Sequence, residues 1–123
     1  MSNLLKKTLV IGASDNPQRY SYLAMGRLRG KGHPVVAIGR KLVRVGDVDI
    51  ETTKKDFPEV DTVTLYLSPR LQKEYYDYIL SLHPRRIIFN PGTENPELED
   101  LAQAHGIEPL EACTLVLLST GQY

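Results

Sequence analysis

Short runs of apolar residues recur along this chain and alternate with segments of helical periodicity. The first run, residues 8–11, is apolar at nearly every position and is closed by Gly12. Strands that are continuously apolar, rather than apolar at every second position, are typical of parallel sheets covered on both faces. Four further strand-like runs cover residues 34–38, 61–67, 86–89 and 107–110. The alternation predicts an α/β protein whose parallel strands are joined by right-handed helical crossovers.

Helical signals lie between these runs. In residues 21–31 apolar side chains recur every three positions, and Gly32 stands where a C-terminal cap is expected. Pro69 and Pro96 each precede a further helical segment, and proline is favoured at the first position of a helix. The pattern predicts one Rossmann-like domain over residues 1–123, with a doubly wound parallel sheet of about five strands and helices on both faces.

Two shorter segments complete the pattern. Residues 42–50 are predicted to form a small hairpin or edge strand, because apolar residues flank a turn at Gly46 and Asp47. Residues 113–118 are apolar but too short to be assigned to a helix or a strand.

The composition fits a single globular domain. The chain has 123 residues, of which 41% are apolar and 24% are charged, and a domain of this size can fold without disulfide or metal staples. Cys113 is the sole cysteine, so the chain forms no internal disulfide and we expect a cytoplasmic location. No apolar run approaches the roughly 18 residues of a membrane span, and residues 1–14 enter strand-like sequence too early to hold a secretory signal.

The charges are divided unevenly along the chain. Residues 1–86 hold all 15 basic residues and nine acidic ones, whereas residues 87–123 hold six acidic residues and no basic residue. The two parts therefore carry net charges of +6 and −6. A nucleic-acid partner would need a basic stripe with interleaved aromatic residues, so the division favours a compact anionic ligand instead.

The candidate binding residues follow the predicted strands. In a doubly wound sheet, ligands bind outside the carboxyl ends of the strands, near the point where the strand order reverses. The residues at these ends are rich in Gly, Pro, Ser and Asn, which let the backbone approach a ligand or cap a helix. Together with two residues at the start of the first helix, they are Gly12, Ala13, Ser14, Tyr20, Ser21, Gly39, Arg40, Lys41, Ser68, Pro69, Asn90, Pro91 and Gly92.

The turn after the first strand resembles a nucleotide-binding turn in part. It keeps Gly12 but lacks the second and third glycines of the G-x-G-x-x-G pattern. Its position between a buried strand and a helix start still suits a phosphate, because the first amides of a helix and the helix dipole attract anions. A tight strand-to-helix turn without a ligand remains the alternative.

The end of the second strand narrows the choice of ligand. NAD enzymes usually place Asp or Glu there to bind the ribose hydroxyls. This chain has Gly39, Arg40 and Lys41 instead. A pair of cations suits a phosphorylated ribose, which leaves NADP or coenzyme A, whose adenosine carries a 3′-phosphate.

Four segments of the chain together resemble a known family. GASDNPQRYSYLAMGRLRGKGHPVVAIGRK, DTVTLYLSP, NPGTENPEL and EACTLVLLSTGQY are similar to the small stand-alone coenzyme A-binding domain proteins, which share a Rossmann-like fold with the coenzyme A-binding domain of the succinyl-CoA synthetase alpha subunit. The resemblance implies that residues 12–14 cradle the phosphates and that Lys41 approaches the phosphorylated adenosine. It further implies that residues 68–69 shape the path of the adenine and pantetheine groups, and that residues 90–92 lie near the pyrophosphate or the pantetheine.

The sequence offers little sign of catalysis. His33, His83 and His105 all stand at predicted turns or helix ends, where histidine usually caps or lies on the surface, and no spacing of His, Cys and Asp resembles a metal site. We therefore expect a protein that binds coenzyme A or an acyl-CoA without catalysis, as a small-molecule nucleotide ligand and without nucleic acid or membrane. The alternatives are an NADP-dependent reductase and an interaction protein with an empty Rossmann site. A homo-oligomer or an unidentified protein partner is compatible with any of them.

Overall fold

A computed structural model describes residues 5–123, so the predicted domain start at residue 1 and part of the expectation about a secretory signal lie outside the described residues. The described chain forms seven strands and five α-helices. The strands are β1 (Thr8–Ala13), β2 (Val35–Gly39), β3 (Val43–Val45), β4 (Val48–Glu51), β5 (Thr62–Leu65), β6 (Arg86–Phe89) and β7 (Glu108–Glu111). The helices are α1 (Tyr20–Gly30), α2 (Pro69–Gln72), α3 (Tyr76–Leu82), α4 (Pro96–Ala104) and α5 (Thr114–Ser119).

All seven strands form one sheet in the order β3-β4-β2-β1-β5-β6-β7. Every neighbouring pair is parallel except β3 with β4, which form the predicted hairpin. The hairpin joins the sheet edge and adds two strands to the five main ones. The strand order reverses between β1 and β5, because the chain proceeds from β1 toward β2 and later returns to β5. This confirms the predicted doubly wound α/β fold.

Two apolar cores lie on opposite faces of the sheet. One contains Val10 and Ala37 from the strands, Met25 and Leu28 from α1, and Leu118 from α5. The other core faces α3 and α4 and consists of Leu9, Ile11, Ile38, Val60, Val63, Leu65, Ile79, Ile87, Phe89, Leu98, Ala102 and Ile107. Residues 8–11 of β1 are fully buried, so the strand is covered on both faces, as its continuous apolar run predicts.

The helix boundaries follow the expected signals at most positions. Pro69 and Pro96 occupy first-turn positions in α2 and α4. Residues 73–75 form a 3-10 turn that separates α2 from α3, so the predicted second helix is interrupted. The apolar segment after Cys113, which the sequence pattern leaves unassigned, is α5. Within residues 5–123, no helix is both long and apolar enough to cross a membrane.

A polar cluster ties the chain together at the amino ends of the strands. The Lys6 amide donates to Nδ1 of His33 over 2.9 Å, and the His33 ring lies 4.9 Å from the Tyr123 ring. Buried Arg86 donates from Nε to the Thr62 hydroxyl (2.9 Å) and from Nη2 to the Tyr123 carbonyl (2.8 Å). Burial lowers the pKa of His33 below 6.5; nearby Lys6 and Arg86 lower it further, against a smaller opposing effect of Asp61.

The lowered pKa of His33 predicts loss of stability in mild acid. Below about pH 6.5 the unfolded chain binds a proton at this histidine that the folded chain resists, so this part of the stability is present above that pH and falls as pH drops through it. Urea unfolding at neutral and mildly acidic pH measures the effect. His33→Asn, whose side-chain oxygen can accept from Lys6 but does not titrate in this range, should show a flatter pH dependence. Equal pH dependence in both proteins would exclude His33 as its source.

Candidate functional site

The carboxyl ends of β2, β1, β5 and β6 surround one cleft of about 760 Å³. This volume falls within the range of about 300–1,000 Å³ usual for small-molecule sites. The cleft lies at the point where the strand order reverses, where ligands bind in doubly wound sheets. The predicted site residues that line it are Gly12, Ala13, Ser14, Tyr20, Ser21, Gly39, Arg40, Lys41, Ser68, Pro91 and Gly92.

Two predicted site residues, Pro69 and Asn90, are not among those lining the cleft. Pro69 is the first residue of α2. The buried Asn90 side chain donates to the Thr64 hydroxyl (2.6 Å) and the Leu65 carbonyl (2.9 Å), and accepts from the Thr114 amide (2.9 Å). Asn90 therefore ties the end of β6 to β5 and α5 beneath the cleft. Three internal hydrogen bonds leave this side chain directed into the protein.

Several cleft residues are missed by reasoning from strand-end motifs. Those outside the predicted set include Asp15, Arg19, Tyr66, Leu67, Leu71, Glu74, Tyr75 and Thr93. The half-buried ring of Tyr75 packs against the apolar core and also lines the cleft. The signal that could have found Tyr66 and Leu67 is their place directly before Ser68, at the end of the strand beside β1.

Two glycines at the centre of the cleft are required by close backbone contacts. Gly12 has φ +93°, and a Cβ there would lie 2.9 Å from both the carbonyl carbon and oxygen of Tyr66. A Cβ on Gly39 would overlap the Ala13 carbonyl oxygen. Both glycines are therefore explained by packing between β1 and its neighbouring strands, independently of any ligand.

The start of α1 presents its first amides at the cleft. No side chain caps this helix, and its first turn holds no acidic residue. The loop before it is ordered by the Asn16 amide, which donates to the Ser14 hydroxyl over 3.0 Å. At α4, in contrast, the Asn95 side chain accepts from the Leu98 amide. The amides of α1 are thus available to an anion, which the positive end of a helix dipole attracts.

One half of the cleft, at the ends of β1 and β2, is cationic. Arg19, Arg40 and Lys41 line it, and Nζ of Lys41 lies 3.0 Å from a carboxylate oxygen of Asp15. Both partners are partly exposed, so this ion pair is weak and an anionic ligand can compete for the lysine. We refer to this part, bounded by residues 12–21 and 38–41, as the cationic half.

The other half, at the ends of β5 and β6, is lined by neutral residues apart from Glu74. Leu67, Leu71 and Tyr75 form one wall, and Pro91, Gly92 and Thr93 form the other. Lys54 lies 5.2 Å from the centre of the Tyr75 ring, a cation–π contact at the outer edge of this wall. We refer to this part, bounded by residues 66–75 and 91–93, as the neutral half.

Tyr66 is a poor candidate for acid–base work at the cleft. Burial raises the pKa of its phenol to about 12, so the group stays protonated at neutral pH and can act only as a neutral hydrogen-bonding group. Cys113 is half-buried, precedes α5 and is not among the cleft residues. Within residues 5–123, no group of three or more His, Cys, Asp or Glu side chains is arranged to hold a metal ion.

Comparison with known proteins identifies the family of this chain. A family model described as a CoA binding domain matches residues 6–119. The chain belongs to the CoA-binding domain family. The match spans all the strands and helices around the cleft, which confirms the family resemblance of the sequence motifs.

Solved structures share the complete fold. The crystal structure of an uncharacterized protein is 49% identical, with a TM-score of 0.95, and the match covers 98% of this chain and 99% of that one. A protein from Thermus thermophilus is 20% identical (TM-score 0.84; 97% and 91% covered), and a hypothetical protein from Pyrococcus horikoshii OT3 is 24% identical (TM-score 0.85; 94% and 83% covered). The latter two show the fold alone. No curated protein matches this CoA-binding domain chain.

Alanine substitutions at two glycines test the close backbone packing at the end of β1. Gly12 and Gly92 have nearly equal φ angles of +93° and +90°, but a Cβ on Gly92 meets no atom within 4 Å. Gly92→Ala should therefore cost about 1–2 kcal/mol of unfolding free energy from backbone strain alone. Gly12→Ala should cost about 2 kcal/mol more, because its Cβ meets the Tyr66 backbone. Denaturant unfolding measures both, and equal costs would contradict the close contact.

Proposed function

We propose that this protein binds coenzyme A or an acyl-CoA in the cleft without catalysing a reaction on it. The observation that carries the proposal is the convergence of eleven predicted site residues, nine at strand ends and two at the start of α1, on one cleft in a chain of the CoA-binding domain family. The cleft is cationic where the family resemblance implies phosphates, and apart from Glu74 it is neutral where we place the uncharged arm of the ligand.

Different groups of lining residues fit different parts of coenzyme A. Residues 12–14 and the open start of α1 would hold the pyrophosphate through backbone amides. Arg40 and Lys41 would meet the 3′-phosphate of the adenosine. Residues in the neutral half would contact the pantetheine arm, which carries amide groups and a thiol but no charge.

The ionisable groups of the cleft support a binding role. Asp15 is engaged by Lys41, and the raised pKa of Tyr66 keeps that phenol protonated. Burial and the neighbouring Glu74 also raise the pKa of Tyr75. An acid–base catalyst is most effective with a pKa near the working pH, and the two tyrosines are shifted away from it.

Titration calorimetry with coenzyme A, dephospho-coenzyme A, NADP and NAD tests this proposal. We expect coenzyme A to bind most tightly, because it alone combines the 3′-phosphate with the pantetheine arm. Tighter binding of NADP would favour the reductase, for which Arg40 and Lys41 could serve the ribose phosphate. No binding of any ligand would favour an interaction protein with an empty site. Release of thiol from acetyl-CoA above the buffer rate would contradict the non-catalytic role.

Removal of the Lys41 charge should weaken the binding of coenzyme A selectively. We expect Lys41→Met to cost about 1 kcal/mol, or about fivefold in Kd, because the lysine is exposed and already paired with Asp15. Dephospho-coenzyme A should lose less than twofold. Lys31→Met is the matched control, since Lys31 directly follows α1 outside the cleft lining. Equal losses for both ligands would show that Lys41 does not recognise the 3′-phosphate.

The proposal also covers the cellular location and the partners of the protein. We propose a cytoplasmic protein whose partner is the small-molecule ligand rather than nucleic acid. The division of charge along the sequence supports this, because the basic residues precede residue 87 and three of them lie together at the cleft. Association into a homo-oligomer or with another protein stays a prediction.

A further inference from the structure

Gln72 is a polar side chain buried completely beside the cleft. It is the last residue of the four-residue helix α2. Its Nε2 donates to the Leu67 carbonyl (2.9 Å) and to the Thr93 carbonyl (2.8 Å), and its Oε1 accepts from Nδ2 of Asn95 (2.9 Å). One amide thus makes three hydrogen bonds in a position closed to water.

These bonds join the two walls of the neutral half. Leu67 belongs to the loop after β5 and Thr93 to the loop after β6, and both residues line the cleft. The two carbonyls lie beyond the paired segments of these strands, whose pairing ends at Leu65 and Phe89. Past that point, the Gln72 amide holds one loop to the other in place of strand pairing.

A second set of side chains fixes the position of the amide. Nδ2 of Asn95 also donates to the Tyr76 hydroxyl (2.8 Å), which in turn donates to the Glu97 carboxylate (2.9 Å). The Glu99 carboxylate accepts from the Asn95 backbone amide over 3.1 Å. Asn95, the residue before α4, therefore fixes the orientation of the Gln72 amide. The spacing of the two loops thus depends on contacts outside the cleft lining.

We propose that Gln72 is a positioning residue that sets the width of the neutral half and, through it, the affinity for the pantetheine arm. The inference rests on the proposed function and deepens it, since it assigns one part of the ligand to one support in the protein. If Gln72 stabilised the whole domain, its loss would weaken the binding of every part of the ligand equally. A side chain that spaces only the loops after β5 and β6 affects the arm bound between them and spares the phosphates at β1 and β2.

The test compares coenzyme A with adenosine 3′,5′-bisphosphate, which carries the phosphorylated adenosine but no pantetheine arm. Gln72→Met keeps a similar length and removes all three hydrogen bonds, leaving two carbonyls without this donor. We expect its affinity for coenzyme A to fall by about tenfold, because unsatisfied buried groups displace both loops. Its affinity for adenosine 3′,5′-bisphosphate should change by less than twofold.

Two further variants separate positioning from general destabilisation. Thr62→Val removes a buried hydroxyl that accepts from Arg86 at the opposite end of the sheet. It should lower the melting temperature and leave both affinities unchanged. Gln72→Glu can still donate to one carbonyl when protonated, so its loss of coenzyme A affinity relative to wild type should be smaller at about pH 6 than at about pH 8. It also serves as the test variant if the methionine protein does not fold.

The outcomes distinguish this inference from the proposed function. If the wild-type protein binds no coenzyme A, the proposed function fails and the inference with it. If the wild type binds but a folded Gln72 variant retains full affinity for coenzyme A, the inference alone fails. Equal losses for coenzyme A and adenosine 3′,5′-bisphosphate also overturn it, since they would show that Gln72 acts on the whole domain.

Discussion

The close approach of the backbone at the end of β1 is the constraint on which the site depends. Gly12 lies against the Tyr66 backbone on one side, and Gly39 lies against the Ala13 carbonyl on the other. Without a Cβ at either position, the ends of β2, β1 and β5 can converge, and their loops then diverge around the cleft. Side chains at these positions would force the strand ends apart. The glycines that suggest a phosphate-binding turn in the sequence are therefore required first by the fold, and the opening for a ligand is a consequence of that packing.

Buried amides then fix the loops that this convergence creates. Asn90 and Gln72 each make three hydrogen bonds, but to different parts of the chain. Asn90 secures the end of β6 to β5 and α5, whereas Gln72 secures the loops themselves. Because an unsatisfied buried amide costs more free energy than a formed hydrogen bond contributes, such side chains strongly favour one loop arrangement. A site built in this way is largely formed before the ligand binds, which reduces the entropy lost on binding.

The sequence predicted the features that arise from local pattern and missed those that arise from tertiary contacts. Continuous apolar runs identified the main strands because burial on both faces leaves that direct mark. The segment that forms α5 is too short for its periodicity to be recognised, and the 3-10 turn at residues 73–75 leaves no distinct signal. The position of Asn90 after a strand predicts a role in ligand binding, but the direction of its side chain depends on partners as remote in sequence as Thr64 and Thr114. Gln72 belongs to no recognisable sequence motif, and its role is evident only from its three hydrogen bonds in the structure.

The uneven charge along the sequence becomes a gradient across the sheet. β2, which precedes Arg40 and Lys41, lies on one side of β1. On the other side, beyond β5 and β6, follow α4 and β7, which carry five of the six acidic residues after residue 86. In this acidic region, burial and the neighbouring Glu111 carboxylate raise the pKa of Glu99. A phosphate group is attracted toward the first side and repelled from the second. For the proposed ligand, this gradient favours one direction of binding, with the phosphorylated adenosine at β2 and the uncharged arm between the loops that Gln72 holds.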